Sequence, residues 1–501
     1  MRRIDAIGWA AALIGAAALA GQAMAAPAPV TTTGGAVQGV QAGEVVSYKG
    51  IPYAAPPVGP LRWRMPQPPA PWQGVKVADS FGSSCMQTLV PGAPGGDLPV
   101  SEDCLYLNLW TAAKTPAARL PVMVWIHGGG FQIGSGSWAQ TDGTSFARRG
   151  VVLVSLNYRM GKLGFFANPA LTREAADPEL GNYGLADMVS ALKWVRANIA
   201  AFGGDPDNVT IFGESAGGMA VNFLMESPGA RGLFHKAIVE SGGGRGAFDS
   251  FQKAEAAGAA SAAAWGVTSD DAAALRALSI KTVMTGSMMM SGGASPMIDG
   301  KIVPEPVLDA FRAGRVAHVP YVIGSNKYEA GLFPDMIPAI TKSAAAIWPK
   351  VETTYDGYGS HDPKMVAGEF TTDAFMGEPA RAVARAAAAH GLPTYLYQFS
   401  YLRPSQRDGK IPGPLHFDEV YVVFDSMGTA PPPPSSDPKA VDAMESRWVS
   451  FARTGAPGGG WPALKAGDER VEDFTNDGPV VRKDFRKAQY DLVESWADAP
   501  K

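Results

Sequence analysis

Residues 209–225 join a strand pattern to a helix pattern through a short glycine-rich run. Val209-Thr210-Ile211-Phe212 is β-branched and apolar, Gly213-Glu214-Ser215-Ala216-Gly217 follows, and Ala220-Val221-Asn222-Phe223-Leu224-Met225 is helix-competent. A sharp strand-to-helix turn tolerates little bulk on either side, and it holds its central side chain in strained backbone, clear of the sheet. Ser215 is thereby a candidate nucleophile. The N–H of Ala216 falls at the helix start, where unpaired amides and the helix dipole favour a developing negative charge.

A second element fits the first. Val122-Met123-Val124-Trp125-Ile126 is an apolar, largely β-branched run that reads as a buried strand, and it ends in His127-Gly128-Gly129-Gly130. Three successive residues without side chains leave their backbone N–H groups open toward a substrate oxygen. His127 is rejected as a general base, because a histidine in such a loop serves to fix the loop's shape.

Where a serine sits on this kind of turn, the acid and base follow it in the chain, in the order Ser, Asp/Glu, His. The six histidines are His127, His235, His318, His361, His390 and His416. His416 lies in the loop Gly413-Pro414-Leu415-His416-Phe417-Asp418-Glu419, which leads into the apolar segment Val420–Phe424. Glu329 follows the apolar run Val319–Ile323, so it falls near the end of a further strand. In a parallel sheet that end shares an edge with the serine turn, where open α/β sheets bind ligands. A carboxylate there can hold the imidazole tautomer and stabilise the imidazolium.

Longer motifs resemble those of the type-B carboxylesterases, the family that includes the cholinesterases. The resemblance runs from Gly181-Asn182-Tyr183-Gly184-Leu185-Ala186-Asp187 through Phe202-Gly203-Gly204-Asp205-Pro206 to Gly213-Glu214-Ser215-Ala216-Gly217. Ser101-Glu102-Asp103-Cys104-Leu105-Tyr106-Leu107-Asn108 resembles a second signature, and Gly50-Ile51-Pro52-Tyr53-Ala54 and Trp448–Gly455 extend the match to both ends. It implies an α/β-hydrolase fold: a central, mostly parallel sheet flanked by helices, with cap or pocket-wall insertions. It implies Ser215, Glu329 and His416 as the catalytic triad and the N–H groups of Gly129, Gly130 and Ala216 as the oxyanion hole. Glu214 and Ser241 match positions that support the triad. Cys85 and Cys104 match cysteines that close a loop. The stretch carrying Arg245 passes close to the acyl side of the pocket, where Phe248 forms a wall and Arg245 would pair with a carboxylate on the acyl group. The chain departs from the family pattern at Tyr328 and Ala330, where Asp and Gly are usual. It departs again at Pro414 and Phe417, where small residues are commoner.

Composition adds bounds. The 501 residues, 46% of them hydrophobic, suffice for one large α/β domain or two ordinary ones. The family match, spanning residues 26–501, points to one. A formal charge of −4 gives no electrostatic reason to expect nucleic acid. The histidines show no metal-ligand spacing and no phosphate-binding loop appears in strand–helix context, so no metal and no cofactor are expected. Leu185, Met188, Val189, Leu192, Val195 and Ile199 recur at helical spacing, and the Ala-rich residues 253–279 read as helical. With the Gly/Met-rich stretch 284–297, whose Met288–Met290 suit an adaptable pocket lining, they form a candidate cap insertion. Pro431–Pro434 reads as an exposed linker.

Residues 1–25 read as a signal peptide. Arg2 and Arg3 supply the charge, Ala6–Ala20 an apolar stretch and Ala23-Met24-Ala25 a cleavage site, with the cut after Ala25 or Ala26. No later run reaches the ~20 apolar residues of a membrane span. Export, to the periplasm or outside the cell, makes a Cys85–Cys104 bridge chemically sensible.

The expected function is a serine esterase acting on a small-molecule ester, with oligomeric state left open. Esters with anionic or polycarboxylic acyl groups are an alternative resting on Arg245. Amidase or thioesterase chemistry uses the same machinery, and a catalytically dead binding module is the competing class, disfavoured because all three triad residues are present. Met86–Asp103 contains no aromatic residue, so the aromatic that binds quaternary ammonium in cholinesterases is missing and choline esters are disfavoured.

Overall fold

A strand that is apolar at every position is covered on both faces. In the computed structural model, the run Leu120–Ile126 lies at the centre of an eleven-stranded sheet. The structure describes residues 27–88, 99–175, 181–246, 248–268, 270–285, 294–356, 362–426 and 437–499. Residues 1–25, expected to be a signal peptide, and Met288–Met290 and Pro431–Pro434 lie outside the described residues.

In chain order the strands are β1 (Val40–Ala42), β2 (Val45–Pro52), β3 (Tyr106–Thr111), β4 (Leu120–Ile126), β5 (Val152–Leu156) and β6 (Gly204–Glu214). They continue with β7 (Lys236–Glu240), β8 (Tyr321–Asn326), β9 (Thr394–Phe399), β10 (Arg470–Thr475) and β11 (Gly478–Lys483). Across the sheet the order is β1-β2-β3-β5-β4-β6-β7-β8-β9-β10-β11. Every pairing from β5 to β10 is parallel, and the outer pairings are antiparallel.

Parallel neighbours need crossovers, and helices supply them. Helix α1 (Tyr183–Asn198) precedes β6, and α2 (Ala216–Glu226) carries the chain from β6 to β7. The six apolar positions read from sequence, Leu185 to Ile199, are all buried. Val122, Val124 and Ile126 of β4 face this layer with Leu185, Leu192 and Val221. The alternate residues Met123 and Trp125 face the other side. There Trp125 meets Phe212 and Phe424 edge-on, both at 4.9 Å between centroids. Burying one leucine such as Leu192 contributes about 2 kcal/mol.

The Ala-rich stretch 253–279 is not one helix but two, Phe251–Ala264 and Ala272–Ala277. Gly266 takes φ of 78° just past the first, a left-handed stop, and the Asp271 side chain caps the second by accepting from Ala274 N–H. Ala262, Leu275 and Val283 of this insertion pack with Trp63, Leu163 and Phe166 in a small core of their own. Cys85 and Cys104 are joined by a disulfide across a separation of 19 residues. Closing a loop of that length restricts the unfolded chain by about 3 kcal/mol. No helix among the described residues is long and apolar enough to cross a membrane.

Candidate active site

Ser215 stands between the last residue of β6 and the first of α2, with φ 55° and ψ −122°. Its N–H donates to Glu240 O at 2.9 Å, which ties the turn to the neighbouring strand β7. The glycines around it are there for space. A Cβ on Gly213 would lie 2.6 Å from Ile126 O, and one on Gly217 would lie 2.0 Å from the same oxygen. Both obstacles are backbone atoms of β4, which cannot swing aside as a side chain would.

Glu329 follows β8 and is fully buried. Its Oε1 accepts from Ser241 Oγ and from Asn326 N–H, both at 2.6 Å. Its Oε2 lies 2.6 Å from His416 Nδ1. The other ring nitrogen of His416, Nε2, lies 3.0 Å from Glu214 Oε1, on the residue next to Ser215. His416 thus has a buried carboxylate beside each nitrogen, hydrogen-bonded to Glu329 at Nδ1 and in charge contact alone with Glu214 at Nε2. Burial alone would lower its pKa, but attraction to Glu214 and then Glu329 outweighs burial and raises it well above the ordinary histidine value. Burial pushes the Glu214 carboxyl up, and the charge of His416 draws it back down.

The glycine loop closes over this group. A Cβ on Gly128 would lie 2.6 Å from Glu214 Oε2 and 3.1 Å from Ser215 Cβ. Gly129 takes φ 101° and Gly130 φ 62°, and Gly129 O accepts from Gln132 N–H and Ile133 N–H. His127 is buried, stacks on Tyr158 at 4.3 Å and sits with Nδ1 2.9 Å from Gly128 O, so Nδ1 donates. Burial lowers its pKa to about 4. It is neutral and spends its Nδ1 proton on the loop's own carbonyl.

Two further acids escaped the sequence reading. Glu240 Oε1 accepts from Trp448 Nε1 at 2.8 Å, and burial pushes its carboxyl up to about 8. Glu419 Oε2 accepts from the Asn326 amide, which also donates to Leu415 O at 2.7 Å; burial pushes the Glu419 carboxyl well up. Asn326 thereby links the acid turn to the histidine loop. The signal was present in sequence: Glu240 ends the apolar run Ala237-Ile238-Val239, and Glu419 precedes the apolar run Val420–Phe424.

Arg245 is already committed within the chain, which counts against the anionic-ester alternative. Its Nε and one terminal nitrogen donate to the two oxygens of Glu378, at 2.6 and 2.8 Å, and the other donates to Asp498 at 2.7 Å. A guanidinium closed bidentately on a buried carboxylate within its own chain has no fork left for a substrate carboxylate. Phe248 is half-buried and packs edge-on against Phe223 of α2, 5.0 Å between centroids. Phe333 covers His416 edge-on at 5.0 Å and meets Phe375 at 5.7 Å.

Residues 26–493 match the sequence profile of the Carboxylesterase family. A fumonisin B1 esterase of Sphingopyxis macrogoltabida is 34% identical over 463 residues, covering 87% of this chain and 84% of its own. A para-nitrobenzyl esterase of Bacillus subtilis is 36% identical over 463 residues, covering 87% and 92% respectively. Among solved structures, a carboxylesterase of Geobacillus stearothermophilus superposes with a TM-score of 0.80 at 33% identity, covering 93% of this chain and 100% of its own. With the sheet order, the serine turn and the match over nearly its whole length in agreement, the chain belongs to the carboxylesterase family.

Proposed function

We propose that this carboxylic ester hydrolase works through an acyl-enzyme on Ser215. The observation that carries the reading is the Glu329–His416 pair beside the strained Ser215 turn, with Glu214 bridging the two. Ser215 Oγ attacks the ester carbonyl carbon while His416 Nε2 takes its proton. The oxyanion is received by the N–H groups of Gly129, Gly130 and Ala216. Collapse expels the alcohol, protonated by His416, and a water then cleaves the acyl-serine by the same route in reverse. The direct test is labelling with a fluorophosphonate followed by peptide mass spectrometry. One equivalent is expected on Ser215 with parallel loss of activity; an unlabelled Ser215 in inactivated enzyme refutes the assignment, and no labelling at all favours a binding module.

The electrostatics around His416 set the pH dependence. Only the neutral imidazole accepts the serine proton, so a raised pKa means that kcat/KM climbs with pH through a midpoint above the ordinary histidine range. Glu214→Gln removes the largest attraction on the imidazolium, so that midpoint is expected to move down. Rate profiles of both proteins check this, and a midpoint that stays put or rises contradicts it.

The relatives' names point to different esters, a fumonisin and a para-nitrobenzyl ester, so the shared chemistry transfers and the substrate does not. The ring of Phe333 against His416, with Phe375 beside it, supports an apolar ester. Against the anionic alternative, Arg245→Ala is expected to leave the anionic-to-neutral ratio of kcat/KM unchanged. It should instead destabilise the fold by about 3 kcal/mol, because Glu378 is left buried and unpaired. Denaturation and a matched ester pair check both halves, and a fall in the ratio restores the alternative.

The apolar, basic-headed N-terminal segment and the Cys85–Cys104 bridge support export of residues 26–501, as one domain, to the periplasm or beyond.

A further inference from the structure

Phe417, the residue after His416, has φ of 76°. In that left-handed conformation the Cβ of a bulky side chain crowds its own backbone, while glycine would adopt it freely. This chain carries a phenyl ring there. Something the ring touches must offset the strain.

The ring is half-buried and its contacts are specific. It meets Trp138 edge-on with centroids 6.1 Å apart, and Tyr421 edge-on at 5.5 Å. Trp138 belongs to the segment that follows the glycine loop, and its ring lies 6.3 Å from that of His127. His127 is in turn fixed to Gly128 O. A line of three rings, His127, Trp138 and Phe417, therefore spans from the oxyanion loop to the histidine loop. Behind it, Arg403 lies 5.1 Å over Tyr421 and donates to Asp418 at 3.0 Å, and Asp418 accepts from Leu415 N–H at 2.8 Å. The backbone on both sides of His416 is thus held, on one side by Asp418 and on the other by a strained residue whose ring is wedged against Trp138.

We propose that Phe417 is a positioning residue: its ring, seated on Trp138, sets the spacing between the oxyanion loop and the histidine loop and so fixes the reach of His416 toward Ser215. This rests on the reading of His416 as the base. The strained turn at Phe417 thereby couples two halves of the site. Misplacement of a catalytic group by an ångström costs up to about a hundredfold in rate.

The test measures kcat per active site, titrated with fluorophosphonate, so that loss of folded protein does not count as loss of rate. Phe417→Gly relieves the strain and removes the wedge. It is expected to lower kcat roughly ten- to a hundredfold with KM within about twofold of the parent. Phe417→Tyr keeps the ring and should restore kcat to within about twofold. Trp138→Leu should give a similar loss, and the double variant little more than either alone, because both act through one contact. Should Phe417→Gly fold poorly, Phe417→Leu, which keeps apolar bulk without a ring edge, carries the comparison. A Phe417→Gly or Phe417→Leu enzyme with parental kcat per site overturns the proposal, as does simple additivity with Trp138→Leu. His416→Ala, run alongside, separates the two levels. If it is inactive while Phe417→Gly is not slowed, only the positioning role falls; if it stays active, the base assignment falls and the positioning role with it.

Discussion

Ser215→Ala is expected to lower kcat for a simple aryl ester by on the order of 10⁴-fold or more, with the melting temperature almost unchanged. The rate loss follows from removing the only atom that forms the acyl bond in this scheme. Whatever remains comes from the glycine loop and substrate binding acting on water. The stability expectation comes from the turn: alanine has the same Cβ as serine, so it meets the same strain at φ 55°. The Ser215 N–H bond to Glu240 O involves the backbone and survives the change. Steady-state rates and a thermal melt on one preparation decide it. Retention of a tenth of parental activity removes Ser215 from the mechanism, and a large fall in melting temperature removes the claim that its role is chemical.

Glu329→Gln should cost almost as much, about 10⁴-fold in kcat, although it changes one atom and almost no volume. Oε1 accepts from Ser241 Oγ and from Asn326 N–H. A backbone N–H can only donate, so the amide oxygen of a glutamine must take that side. Its NH₂ group then faces His416 Nδ1, where the carboxylate oxygen sits in the parent. A donor at that position forces Nδ1 to accept, which moves the ring proton to Nε2. The nitrogen that must receive the serine proton is then already occupied. The stabilising charge for the imidazolium is lost as well. A variant that keeps more than a hundredth of the parental kcat contradicts this, and a crystal structure of the variant shows which way the amide points.

The local parts of the site were legible in sequence because each is a short run with its own steric logic. The turn at Ser215, the glycines after β4 and the acid after β8 are all of that kind. The α1 face was legible by period alone. What sequence did not yield depends on partners far away in the chain. Arg245 is spent on Glu378 and Asp498, which lie 133 and 253 residues further on, and nothing near Arg245 announces them. Glu240 and Glu419 were passed over because an isolated charge is ordinarily solvated. Here each ends or opens an apolar run, and the fold buries both near His416 and Glu329. The Ala-rich insertion is legible as helical, but its break is not, because alanine masks it; Gly266 and the capping Asp271 impose the break.

The crowding of glycines against backbone at the serine turn has an evolutionary consequence. A Cβ on Gly128, Gly213, Gly217 or Gly218 would come within 3 Å of a backbone oxygen. Peptide groups at the ends of three adjacent parallel strands mould this part of the site, and drift in side-chain identity leaves such a mould untouched. Phe333 and Phe375, by contrast, come to His416 as side chains from separate segments. In an enzyme built this way, a mutation at those rings leaves the backbone of the serine turn as it is.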